Sequence, residues 1–255
     1  MVDDLRRGAE KVGERASAAR EAARGAAGDA MDAAREAAGE AIAAVKPKLR
    51  GVSHEWAFFI SLGLGAALII AADSPKARLA VAIYAVSLSA LLGTSALYHR
   101  VDWKRPNARR WMRRLDHSMI FFLIAGTYTP FALLVLDGPL ADAILVVVWA
   151  GAIAGAIVEM IWIDHPKWVA ALIYMSLGWV AVIAFPGLWS EMGMAGTLLV
   201  ALGGLLYTAG AIVYATQRPD PFPRTFGYHE VFHALVIAAA AAQFAAVAFF
   251  ALPAS

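Results

Sequence analysis

The segment GYHEVFHALV near the C-terminus sets His229 and His233 four residues apart. On a helix this spacing puts both imidazoles on one face, one turn apart, as two ligands of a single metal ion require. Two strongly solvated side chains bordering an apolar span are costly unless something uses them. His99 closes another apolar run, with Ser95 four residues before it on the same helical face, and Asp116 opens a third. Neutral imidazole suits zinc, and three histidines leave a fourth position for a water whose pKa the metal lowers toward about 7. Asp116 can hydrogen-bond that water or ligate directly, and Ser95 can orient it or a substrate carbonyl. The chain has no cysteine, so a metal must be held by nitrogen and oxygen; thiolate zinc sites and Fe–S clusters are excluded.

The elements that position these side chains are membrane helices. The chain is 60% hydrophobic with mean hydropathy +0.62, well above the roughly 45–50% apolar usage of soluble domains. Seven apolar runs follow one another at 55–73, 78–99, 117–136, 140–162, 167–188, 195–215 and 229–251, each able to cross a bilayer as a helix. The fold class is therefore an all-α membrane protein, a seven-helix bundle of residues 51–255. The loop 100–116 holds Arg100, Lys104, Arg105, Arg109, Arg110, Arg113 and Arg114, while the third and fifth loops hold no Lys or Arg. That asymmetry predicts a multi-pass cell-membrane protein with a cytoplasmic N-terminus and an external C-terminus. Crossing parity then puts His99, Asp116, His229 and His233 on the cytoplasmic side. A formal charge of +2, with the basic residues in loops, excludes nucleic acid as a partner.

Residues 1–50 differ in kind. They are rich in Ala, Arg and Glu, and AAREAA recurs at 18–23 and 33–38. They contain no apolar core like that of a signal peptide, and they read as a cytoplasmic polar extension, either helical and self-associating or disordered. Its basic end, Lys46 to Arg50, reads as a juxtamembrane anchor in contact with anionic lipid.

Other polar residues have plainer readings. Asp116 follows Arg113 and Arg114 and can pair with them or cap helix three, and Ser95 can serve helix packing. His117, about 100° around the helix from Asp116, can contact headgroups or a neighbour. His54 and His165 lie at loop edges and are expected to be solvated, and Glu159 to be interfacial. Thr127-Tyr128-Thr129-Pro130 reads as a proline bend whose hydroxyls satisfy freed carbonyls.

SALYHR at 95–100, RRLDHSMIFFLIAGTYTPF at 113–131 and GYHEVFH at 227–233 resemble the three signature segments of the haemolysin-III family, bacterial relatives of the progestin and adipoQ receptors. The similarity covers about 205 residues, all but the N-terminal extension. The resemblance implies a seven-helix bundle with a cytoplasmic N-terminus and a zinc ion near the inner face. It assigns His99, His229 and His233 as ligands, Asp116 to the water-holding position and Ser95 as the companion of His99. It also implies a lipid substrate or ligand, since the receptor relatives are linked to hydrolysis of the amide bond in ceramide-like lipids and the wider superfamily includes alkaline ceramidases.

Three other readings compete. His229-Glu230-Val231-Phe232-His233 is literally H-E-x-x-H, the zinc-protease pattern with Glu as base, and Leu136-Asp137-Gly138 resembles the distal acidic motif of intramembrane metalloproteases. Topology opposes it, because Asp137 falls at the outer end of helix three, roughly 30 Å from His229. Glu230 can nonetheless reach a metal-held water. The second is a pore-forming, cytolytic protein with structural zinc, poorly supported because no charge lies mid-helix. The third is a lipid-sensing receptor without catalysis.

Overall fold

The computed structural model of the chain describes residues 47–254. The expectations for residues 1–46 lie outside these. The described residues form helices α1 (Val52–Ala71), α2 (Pro75–Arg100), α3 (Pro106–Leu134), α4 (Gly138–Ile161), α5 (Lys167–Gly178), α6 (Ala181–Thr216) and α7 (Tyr228–Ala246). The last passes into a π-turn at Val247–Ala251. Among the described residues six stretches are long and apolar enough to cross a membrane, and α5 with α6 counts as one of them, Lys167–Thr216, 50 residues long. Large apolar side chains on the outer surface, such as Ile70 at 82% and Ile161 at 77% exposure, suit lipid rather than water as the surrounding solvent. The chain is a multi-pass membrane protein.

Neighbours in sequence are neighbours in space: α2 packs against α1 and α3, α4 against α3, and α6 against α7, which also touches α1. Starts are set by local chemistry. Ser74 accepts a hydrogen bond from the Ala77 N–H, with Pro75 in the first turn of α2. Pro106 opens α3 in the same way. Helix three thus begins eleven residues before the expected apolar run, at Pro106 against 117, and Asp116 lies well inside it rather than capping it. Hydropathy marks only the apolar part of a helix, whereas Arg is a good helix former, so the arginine-rich segment continues α3 beyond that part.

The gap between the expected spans 167–188 and 195–215 holds the non-helical Gly193, but a further break falls inside the first span, at Trp179 and Val180, between α5 and α6. Tyr128 on α3 fills this break: its hydroxyl donates to the Gly178 carbonyl at 2.6 Å and accepts from the Ala181 N–H at 2.6 Å. The helical ladder resumes and continues to Thr216, interrupted at Gly193, whose φ of 65° and ψ of −174° are non-helical and turn the chain. Only glycine adopts that combination readily. Thr127 and Thr129 donate to the carbonyls of Leu123 and Ala125 one turn back, and not to the Gly126 carbonyl that Pro130 frees.

The bundle has two distinct ends. At one, Lys167 bonds the Tyr228 hydroxyl and Asp220 accepts from the Tyr228 N–H. At the other, Ser74, Lys76, Asp137, Glu191 and Ala254 line one polar recess. The two are separated by the length of α2, about 36 Å from Pro75 to His99 at 1.5 Å per residue.

Candidate metal centre

His99 occupies the last turn of α2, and His229 and His233 the first two turns of α7. One ligand atom from each lies within 4.8 Å of the others, so the three could hold a metal ion. His229 Nε2 and His99 Nε2 are 3.1 Å apart. Two nitrogens about 2.0–2.1 Å from a tetrahedral ion would stand about 3.3 Å from each other. His233 Nδ1 is buried without a hydrogen-bond partner among the described residues. A buried all-nitrogen donor set with converging lone pairs fits a borderline-soft divalent ion.

The close approach of α1 to this cluster depends on Gly51. It takes the left-handed region at φ 80°, and a Cβ there would lie 2.6 Å from His99 Cβ. Asp116 joins from α3, with Oδ2 3.6 Å from His99 Nε2. Ser95, 3% exposed, lies beside the Asp116 carboxyl. The arginines before Asp116 are engaged elsewhere: Arg110 and Arg113 pair with Asp164, and Arg114 stacks on Trp111. Outside the membrane segments, the Arg110 hydrogen bond holds the Asp164 carboxyl below its ordinary range.

Several side chains depart from their expected places. Glu230 turns away from the histidines: one carboxylate oxygen accepts from Arg50 Nε and the other from the Gly227 N–H at 2.8 Å. Arg50 accordingly clamps Glu230, and the Lys48 and Leu49 backbone N–H groups donate to the carbonyls of Arg224 and Thr225. His54 is buried, not solvated, and stacks on His233 with centroids 3.8 Å apart. His165 is buried too. It contacts Glu159 Oε1 at 3.0 Å, while His117 Nδ1 contacts Oε2 at 3.2 Å and the Tyr174 hydroxyl donates to Oε1 at 2.9 Å. Glu159 is 1% exposed and is the centre of a polar cluster, not an interfacial residue. One signal for this was available: six histidines in a strongly apolar chain, all of which the fold buries. Asp137 lines the recess at the far end with Ser74 and Glu191, as the argument against a protease arrangement requires.

A cavity of about 370 Å³ opens on this site. Ser95, Asp116, His229 and His233 line one end, and the walls continue through Phe131 and Val200 to Leu136 and Leu188. Trp179, Val182 and Leu205 line it and are themselves about half exposed, at 50%, 47% and 59%. These side chains border both the cavity and the accessible surface.

A multi-helix membrane bundle with a histidine cluster at one end of an apolar cavity is the class of protein that this fold and site define. Residues 42–244 match the family described as Haemolysin-III related, and the chain belongs to that family. It is 33% identical to Hemolysin-3 of Bacillus cereus over 213 residues, covering 79% of this chain and 94% of that one. It is 28% identical to the human monocyte to macrophage differentiation factor over 168 residues, 65% of this chain and 67% of the relative. The adiponectin receptor protein of Drosophila melanogaster is 31% identical over 167 residues, 58% of this chain and 37% of the receptor.

Proposed function

We propose that the protein is a zinc-dependent hydrolase of a lipid amide or ester, working at the inner leaflet. The observation that carries this reading is the apolar cavity that ends on Ser95, Asp116 and the histidine cluster. It offers an acyl chain a dry channel and the polar head a reactive end. His99, His229 and His233 hold the zinc. When bound, the ion supplies Lewis-acid polarisation of a carbonyl and acidifies water. Asp116 holds and moves the proton at Oδ2, with Ser95 orienting its carboxyl. Trp179, Val182 and Leu205, which border both cavity and surface, give a lipid a route from the bilayer.

The reading includes seven crossings. Lys167 stands at the histidine end, Glu191 at the far recess and Asp220 back at the histidine end. The 50-residue stretch would span about 75 Å as one straight helix, more than twice the roughly 30 Å of hydrocarbon. The arginine-rich start of α3 favours the cytoplasm for the histidine end, which leaves the C-terminus outside.

The test is bound zinc and turnover of lipid amides by detergent-purified protein. Asp116→Asn should retain near-stoichiometric zinc and lose about 10²–10⁴-fold in rate. Equal rates for variant and wild type would remove the role of Asp116. A second reading draws on the relative named a receptor: the cavity binds a lipid without converting it. Saturable lipid binding with no product over many hours would favour that reading.

A further inference from the structure

His54 lies in the first turn of α1, 2% exposed, with its ring only 12° off parallel to that of His233. It lines the cavity with Asp116 and His229. A neutral imidazole carries one donor and one acceptor, yet neither ring nitrogen of His54 has a hydrogen-bond partner among the described residues. The backbone of His233 lies close to the ring but outside hydrogen-bond geometry.

Metal binding does not account for the residue. The nitrogens that converge on one point are those of His99, His229 and His233. Nor does stacking, since a phenylalanine ring would stack as well and bury no polar atom. Buried polar groups without partners are rare enough in native proteins to need a specific reason. Tyr207 Oη and Gln243 Oε1 also line the cavity unpaired, but Gln243 is ten residues beyond His233 on α7, about 15 Å along the helix. Among the described residues His54, in ring contact with His233, is an unpaired group beside the reactive end that the three metal-ligating histidines do not account for. Gly51 and the Arg50–Glu230 pair, immediately before it, hold it there.

We propose that His54 is a substrate-positioning residue, hydrogen-bonding the amide, ester or hydroxyl group at the polar end of a lipid held in the cavity. It thereby selects lipids whose head carries such a group next to the histidine cluster. The apolar wall cannot make that distinction, because it gains the same burial from any acyl chain of a given length. This inference rests on the lipid-hydrolase reading, but its test needs binding and no turnover.

The test is binding of N-oleoylethanolamine to the zinc-loaded full chain in detergent by titration calorimetry, with 1-octadecene as the headless probe. Wild type is compared with His54→Phe and His54→Gln, and zinc content and thermal midpoint are measured for each. His54→Phe keeps the stack and loses the nitrogens, so it should bind the amide about tenfold more weakly. It should keep its zinc and bind 1-octadecene as wild type does. His54→Gln keeps a donor and an acceptor and should remain within about threefold of wild type. Unchanged amide affinity in His54→Phe overturns the inference and leaves the hydrolase reading intact. Loss of zinc in His54→Phe, or a larger loss of affinity in His54→Gln than in His54→Phe, overturns it in favour of a purely structural stack. No amide binding by wild type overturns both readings.

Discussion

Replacing Arg50 by methionine probes how the first turn of α7, and with it His229 and His233, is held. Glu230 is 2% exposed and has two partners, Arg50 Nε and the Gly227 N–H. Without the guanidinium a carboxylate stays buried with one backbone donor. Removing one partner of a buried pair costs about 3–5 kcal/mol. Arg50 is 18% exposed, so water reaches the vacated position and the lower end applies, about 3 kcal/mol. At about 2–4 °C per kcal/mol for a chain of this size, the thermal midpoint should fall by about 6–12 °C. Glu230→Gln keeps an oxygen for Gly227 and leaves an arginine that can reach water, so it should cost less. Arg50→Met with Glu230→Met should recover much of the loss, because an apolar pair of similar volume replaces buried ions at little net cost. Thermal unfolding in detergent, with bound zinc measured on each variant, decides the matter. A midpoint for Arg50→Met equal to wild type would refute the clamp. Glu230→Gln with wild-type stability and no turnover would make Glu230 the general base, as the H-E-x-x-H pattern reads.

Two further outcomes follow from backbone geometry. Gly51→Ala combines a left-handed φ of 80° with a Cβ 2.6 Å from His99 Cβ, and backbone strain alone costs about 1–3 kcal/mol; zinc stoichiometry should fall with stability, whereas unchanged metal content would show that α1 does not support His99. Tyr128→Phe leaves the Gly178 carbonyl and the Ala181 N–H unpaired at the α5–α6 break, at about 1–3 kcal/mol for each orphaned group. Its thermal midpoint should drop while zinc stays bound, and a wild-type midpoint would mean that lipid or water caps the break equally well.

The histidine cluster was legible because its signals are local. The i, i+4 pairing of His229 with His233 and of Ser95 with His99 follows from helix geometry alone. Crossing parity brought His99, Asp116 and the α7 pair to one end without any distance being known. Helix starts were less legible: the arginines at 109–114 look like loop to a hydropathy reading, and α3 carries them regardless. Within Lys167–Thr216 the gap expected between 188 and 195 holds the non-helical Gly193, but the further break inside the span 167–188 went unread for a related reason. Its interruption after Gly178 is stabilised from another helix, by Tyr128, and nothing near residue 178 announces it.

Residues whose partners are distant in sequence were the ones misplaced. His54 and His165 sit at the ends of apolar runs, where solvation is the default, and Glu159 looks interfacial by the same rule. Their burial depends on groups brought by other helices, His233 for one and His117 and Tyr174 for the others. Glu230 matches a metalloprotease pattern letter for letter, yet Arg50, 180 residues away, draws its carboxylate off the histidine face.

The sequence by itself determined that this is a helical membrane protein, which residue types are available to a metal, and which of them share a helical face. Hydropathy, charge and helical period are properties of contiguous residues, so no fold is needed to read them. Only the tertiary structure decided that His99 and His229, 130 residues apart, bring their nitrogens to 3.1 Å, that Glu230 serves a clamp, and that the histidines face an apolar cavity. Those outcomes depend on how whole helices pack, and packing is settled by the summed contacts of all of them at once.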